Sequence, residues 1–91
     1  MNGLRATRWA APAIDPHGRG ALILNLRTGT WVHLNPTATA YWQSTVEERH
    51  AHHHTVTALA AHFDVTEKEL ARDLDELIQD LRAQRLVEVI T

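Results

Sequence analysis

Apolar and polar residues alternate from Ala21 to Leu26, which predicts a strand with Leu22, Leu24 and Leu26 on one face. Thr30–Leu34 reads as its return strand across a turn at Arg27-Thr28-Gly29. A three-residue loop there sets Leu24 opposite Val32 and Leu22 opposite Leu34. A two-residue Thr28-Gly29 loop would instead set Leu24 opposite His33 and Asn25 opposite Val32. Register follows the apolar pattern, so the first pairing is expected, with Gly29 left-handed in a bulge and Trp31 and His33 on the other face. Upstream, Thr7–Trp9 is a candidate strand, and Pro12 suits Ala10–Ile14 only to an edge or a bend. Asp15–Gly20 is turn chemistry throughout.

Past Leu34 the period changes to that of helices. Asn35-Pro36 is a cap followed by a first-turn proline, opening a helix to about Glu48 that buries Ala38, Tyr41, Trp42 and Thr45 or Val46. Arg49–His54 reads as a polar loop, and Thr55 as the cap of a short helix with Val56, Leu59, Ala60 and Phe63 on one face. After a turn at Asp64-Val65, Thr66 and Glu69 form a capping box, with Val65 and Leu70 spaced as a hydrophobic staple. They open the helix Glu67–Gln84, striped by Leu70, Leu74, Leu77, Ile78 and Leu81. No glycine marks its end, and Leu86–Ile90 is a candidate final strand. The expected architecture is α+β and winged helix-turn-helix-like: a three-stranded antiparallel N-terminal sheet, then three helices, in a single domain 1–91.

Composition narrows the function. With 91 residues, 44% of them hydrophobic, the chain is long enough for one small core and no more. It has no cysteine, no apolar run of membrane-spanning length and no apolar core of a signal peptide, so a cytoplasmic protein without a membrane partner is expected. A helix-turn-helix invites a DNA reading. The net charge is −2, however, and Glu67–Arg85 carries six acids against four bases, the reverse of a phosphate-facing helix. No nucleic-acid partner is therefore expected. His50, His52, His53 and His54 could catch a metal ion adventitiously, but ligands crowded into one loop read as a solvated segment, and no metal site is expected. Ser44 is the only serine and lacks a glycine-flanked elbow, and the carboxylates form no paired motif. The chain reads as a non-catalytic protein without a cofactor.

Thr30–Leu34 stands apart. If Ala21–Leu26 covers one side of it, its other edge offers free backbone N–H and C=O groups, and such an edge is either guarded or used. It has no Lys or Pro guard. An extended peptide could add itself there as a further strand. The alternative, that the third helix or the N-terminus covers the edge, is equally open.

Leu24-Asn25-Leu26-Arg27-Thr28-Gly29, then Leu34-Asn35-Pro36-Thr37-Ala38 and Trp42, resembles the PqqD-like family. Thr55-Val56, Phe63-Asp64-Val65, Asp73-Leu74, Leu77-Ile78 and Leu86-Val87 continue the resemblance in order, over residues 20–90. Two departures stand out. Arg85 occupies a position where the family often has Gly, and His50–His54 replaces a shorter turn. Family members are recognition elements that bind the leader of a ribosomally made precursor peptide and hand it to modifying enzymes. The resemblance implies a leader lying as a strand against Thr30, Trp31, Val32, His33 and Leu34, in a groove with a helix face of Asp73, Leu74, Leu77 and Asp80. The acidic margin of Asp73, Glu76 and Asp80 would meet a basic or polar leader group. The short Leu-Asn-Pro-Thr-Ala form is most similar to the leader-binding protein of lasso peptide pathways, which works with a separate leader peptidase and cyclase. The alternatives are a coenzyme PQQ pathway chaperone for a radical enzyme and, in another class, a winged-helix DNA-binding regulator.

Overall fold

A computed structural model describes residues 2–90, so Met1 and Thr91, the ends of the expected 1–91 domain, lie outside it. The chain forms an α+β fold with antiparallel sheets and three α-helices. Its elements run β1 (Gly3–Ala6), β2 (Ala10–Ile14), β3 (Ala21–Asn25), β4 (Trp31–Leu34), α1 (Pro36–Trp42), α2 (His52–Phe63), α3 (Glu67–Ala83) and β5 (Val87–Ile90).

The strands make two sheets rather than one. Strands β2-β3-β4 form the three-stranded sheet, and β1 pairs with β5 in a separate two-stranded one, Gly3 opposite Ile90 and Ala6 opposite Val87. Thr7–Trp9, a candidate strand by pattern, is instead the turn between β1 and β2, pinned where Thr7 N–H bonds the Leu86 carbonyl at 3.0 Å. The final strand is real, but its partner is the N-terminus of the described chain.

The β3–β4 hairpin has neither expected register. Leu22 lies opposite His33, Ile23 opposite Val32 and Leu24 opposite Trp31, so the loop is the four residues Leu26–Gly29. Ala21, Ile23 and Asn25 therefore face the core, while Leu22 and Leu26 are exposed. The physical reason is Asn25. Fully buried, it donates from Nδ2 to the Gln84 carbonyl at 3.0 Å and accepts the Arg27 N–H on Oδ1 at 3.0 Å. An amide satisfied in this way tolerates burial, and an apolar count cannot anticipate that. Gly29 does sit in the left-handed region, at φ 75°, within the longer loop.

Gly20 sets the hairpin's base. Its φ is 130°, and a Cβ there would overlap the Leu34 carbonyl oxygen, so only glycine lets the start of β3 pass this close to the end of β4.

Asn35 caps α1 as expected, accepting the Ala38 N–H at 2.8 Å with Pro36 at the first position. Beyond Trp42 the helix widens into a π-helical turn, Gln43–Glu47, where Glu48 N–H reaches the Gln43 carbonyl at 2.9 Å. Ala38, Tyr41, Trp42 and Thr45 are buried.

Helix α2 starts at His52, inside the expected loop, and Thr55 is not its cap. Tertiary bonds choose this start. The His52 N–H donates to the Asn2 carbonyl, Tyr41 Oη lies 2.6 Å from His52 Nδ1, and buried Thr55 shares a 2.8 Å hydroxyl contact with Ser44. Asp64, left-handed at φ 55°, ends the helix. Thr66 caps α3, accepting the Glu69 N–H at 3.1 Å, and Leu70, Leu74, Ile78 and Leu81 bury its stripe. Among the described residues no helix is long and apolar enough to cross a membrane.

Candidate functional site

The two edges of the three-stranded sheet differ. Between β3 and β4 the Asn25 N–H bonds the Thr30 carbonyl at 2.8 Å. By the antiparallel alternation, Ile23/Val32 and Ala21/Leu34 are then the hydrogen-bonded pairs. Trp31 and His33 consequently direct their N–H and C=O groups away from β3, to the sheet's outer edge. On the other margin, Leu26 N–H bonds the Trp9 carbonyl and Asp15 N–H bonds the Gly20 carbonyl, which makes Pro12/Ile23 a non-bonded pair. Pro12 thus stands where an N–H would point to solvent, and it blunts that edge. Strand β4 has no such guard.

Beside the β4 edge lies a groove of about 290 Å³ between His33, the start of α1 and one face of α3. Its floor is apolar: Leu70 and Leu74 are buried and Leu77 is half-buried, with Phe63 and Val65 closing one end. Asn35, Thr37 and Ala38 form the α1 side. Two carboxylates, Glu69 and Asp73, one helical turn apart on α3, also line it. An apolar slot with a few polar groups and an open strand edge is suited to hold an extended chain.

Of the residues expected at the site, His33, Asp73, Leu74 and Leu77 line this groove together. Trp31 is exposed on the outer face of the sheet, where it contributes edge backbone. Val32 and Leu34 turn inward, Leu34 wholly into the core, and support the strand from beneath. Thr30 lies just before β4, its hydroxyl 2.7 Å from that of Thr28. Asp80 is exposed beyond the groove and accepts from Gln84 Nε2 at 3.3 Å. Sequence reasoning missed Asn35, Thr37, Ala38, Phe63, Val65, Glu69 and Leu70 as lining residues. Leu70 carried a usable signal, one turn before Leu74 on the same stripe, whereas only the turn between α2 and α3 brings Phe63 and Val65 round.

The histidines lie elsewhere. His50 and His54 rings stand 6.0 Å apart edge to face, and His52 is engaged by Tyr41. Burial pushes the Tyr41 phenol above its ordinary range, with Asp75 adding to the effect, and burial lowers the His52 imidazole. Among the described residues no group of three or more His, Cys, Asp or Glu is placed to hold a metal.

A family model described as coenzyme PQQ synthesis protein D (PqqD) matches residues 20–87. Among solved structures, the chain is similar to TbiB1 in complex with the TbiA(beta) leader peptide, with a TM-score of 0.80 and 24% identity. That match covers 96% of this chain and 98% of that one. No curated protein matches the sequence.

Proposed function

The chain belongs to the PqqD family, and from that premise we propose that it binds the leader segment of a ribosomally synthesised precursor peptide. The leader adds as a strand to Thr30–Leu34, bonding the outward backbone groups of Trp31 and His33. Its inward side chains enter the groove against Leu74 and Leu77, with Asp73 and, farther along α3, Asp80 at the margin. Residues 1–91 act as one recognition domain, whose α2–α3 pair and β3–β4 hairpin serve as a winged-helix-like frame for peptide rather than DNA. The protein is a non-catalytic adaptor acting in the cytoplasm, and it delivers the leader to a separate peptidase and cyclase in lasso peptide biosynthesis.

The observation that carries this reading is the unguarded β4 edge beside an apolar groove, when the same sheet blunts its other edge with Pro12. A leader-bound relative of the same fold, TbiB1, supports it. Magnitudes set the division of labour. Four edge hydrogen bonds at about 0.5–1.5 kcal/mol each fall short of the roughly 8 kcal/mol of micromolar binding. One or two buried side-chain anchors, about 1.5–3 kcal/mol each, are needed as well, before association entropy is counted. The family model's own description favours a second pathway, in which the chain presents its peptide to a radical enzyme of coenzyme PQQ synthesis.

The test is fluorescence anisotropy with a labelled leader, taken from a short precursor reading frame beside the gene, with salt varied and duplex DNA as competitor. Micromolar, salt-tolerant binding that DNA does not displace is expected. Absence of leader binding, together with DNA binding that collapses in salt, would return the protein to the DNA-regulator class. Reconstitution with a peptidase and cyclase, or with a radical enzyme, then separates the two pathways.

A further inference from the structure

A second cavity, about 480 Å³, shares no residue with the peptide groove. It lies between the turn after β1, the last turn of α3 and the start of β5, and Arg8, Arg82 and Arg85 all line it. Three of the chain's nine Lys and Arg residues thus surround one pocket in a protein of net charge −2. The single acid in the lining, Glu88, is already engaged by Arg5, with Nη2 to Oε2 at 2.7 Å and Nε to Oε2 at 3.3 Å. Among the described residues none of the three arginines has a carboxylate within salt-bridge distance.

The end of α3 fixes where Arg85 stands. Leu86 N–H bonds the Leu81 carbonyl at 2.9 Å and Arg85 N–H bonds the Arg82 carbonyl at 3.0 Å, which is a Schellman ending for α3. Arg85 occupies its left-handed position at φ 60°. Glycine takes that conformation without strain, whereas a long side chain is disfavoured there. The arginine is held in place all the same, its carbonyl accepting from Thr7 Oγ1 at 2.6 Å.

From this charge, we propose that the pocket docks an acidic peptide segment of a protein partner, bearing two or three carboxylates in close succession. Planar guanidiniums grip carboxylates with two bonds each, and three of them suit a short acidic run. A nucleotide is a poorer fit, since Arg8 already lies over the Trp9 ring, 4.7 Å from its centroid, where a base would have to stack. The site stands on the far side of the adaptor role: one surface for the peptide cargo, another for an acidic partner.

The test uses the full-length protein, isotope-labelled, titrated with an acetylated Glu-Asp-Glu-Asp peptide and separately with pyrophosphate. The expected result is that the acidic peptide shifts the Arg8, Arg82 and Arg85 resonances, less strongly as salt rises. Arg82→Ala should weaken the interaction about tenfold or more, as loss of a charge-assisted bond does. Arg85→Gly should weaken it similarly while raising the melting temperature, because glycine relieves the left-handed strain, so a folding defect cannot mimic the loss. Binding at the β4 groove should be unchanged in both variants. Pyrophosphate binding without peptide binding would overturn the proposal. So would silence with both ligands, which would leave the arginines as mere complements to the α3 C-terminal dipole.

Discussion

Gly20 and Leu77 illustrate what single residues decide. At Gly20 a Cβ would meet the Leu34 carbonyl oxygen, and φ 130° is itself adverse to any L side chain. Gly20→Ala should therefore lower stability by about 1–3 kcal/mol in urea denaturation, by forcing β3 and β4 apart. A shift within experimental error would mean that β3 and β4 have room for a side chain at this crossing. Leu77 is half-buried on the groove floor, so Leu77→Asp should leave the fold intact by circular dichroism. It should weaken leader binding by about 10–100-fold, the equivalent of losing one apolar anchor. Normal affinity in a folded Leu77→Asp protein would sink the placement of the peptide.

At the scale of the element, β4 and β2 form a natural experiment. Pro12 is accommodated in β2 because its position needs no hydrogen bond to β3. His33 occupies the equivalent kind of position in β4, with its N–H at the open edge. His33→Pro should consequently cost the fold little, about 1 kcal/mol or less, yet remove one donor from the added strand and hinder its approach. Leader affinity should drop about tenfold, whereas Val32→Pro, which breaks a β3 bond, should unfold the hairpin. Equal effects of the two prolines on stability would contradict the deduced bonding pattern. The acidic α3 and the turn that brings Phe63 and Val65 to it were readable as a helix-turn-helix, but their joint use as a groove wall was not.

For the whole molecule, His52 joins the N-terminal segment, α1 and α2 through its N–H to Asn2 and its ring to Tyr41. Burial holds its folded pKa below the usual value, outweighing the opposite pull of Asp75. A group depressed in this way stabilises fully above its unfolded pKa, about 6.5, and loses that contribution as pH falls through the lower folded value. The melting temperature should fall as the protein is acidified below about pH 6.5. His52→Gln, an acceptor for Tyr41 that does not titrate, should fall less steeply. Identical slopes for the two proteins in calorimetry would remove His52 from the account.

Local pattern alone determined the helix caps at Asn35 and Thr66, the α3 stripe, the left-handed Gly29 and the candidacy of β4 as a working edge. Each rests on neighbours within one turn or one hairpin, and such signals survive in any tertiary setting. Only the folded chain decided the β3–β4 register, because Asn25 is held by Gln84, which lies 59 positions away. The same holds for the start of α2 at His52, chosen by Asn2, and for the pairing of β5 with β1. The groove and the arginine pocket belong to this second class: their walls come from segments distant in sequence, and periodicity carries no information about which distant face each will meet.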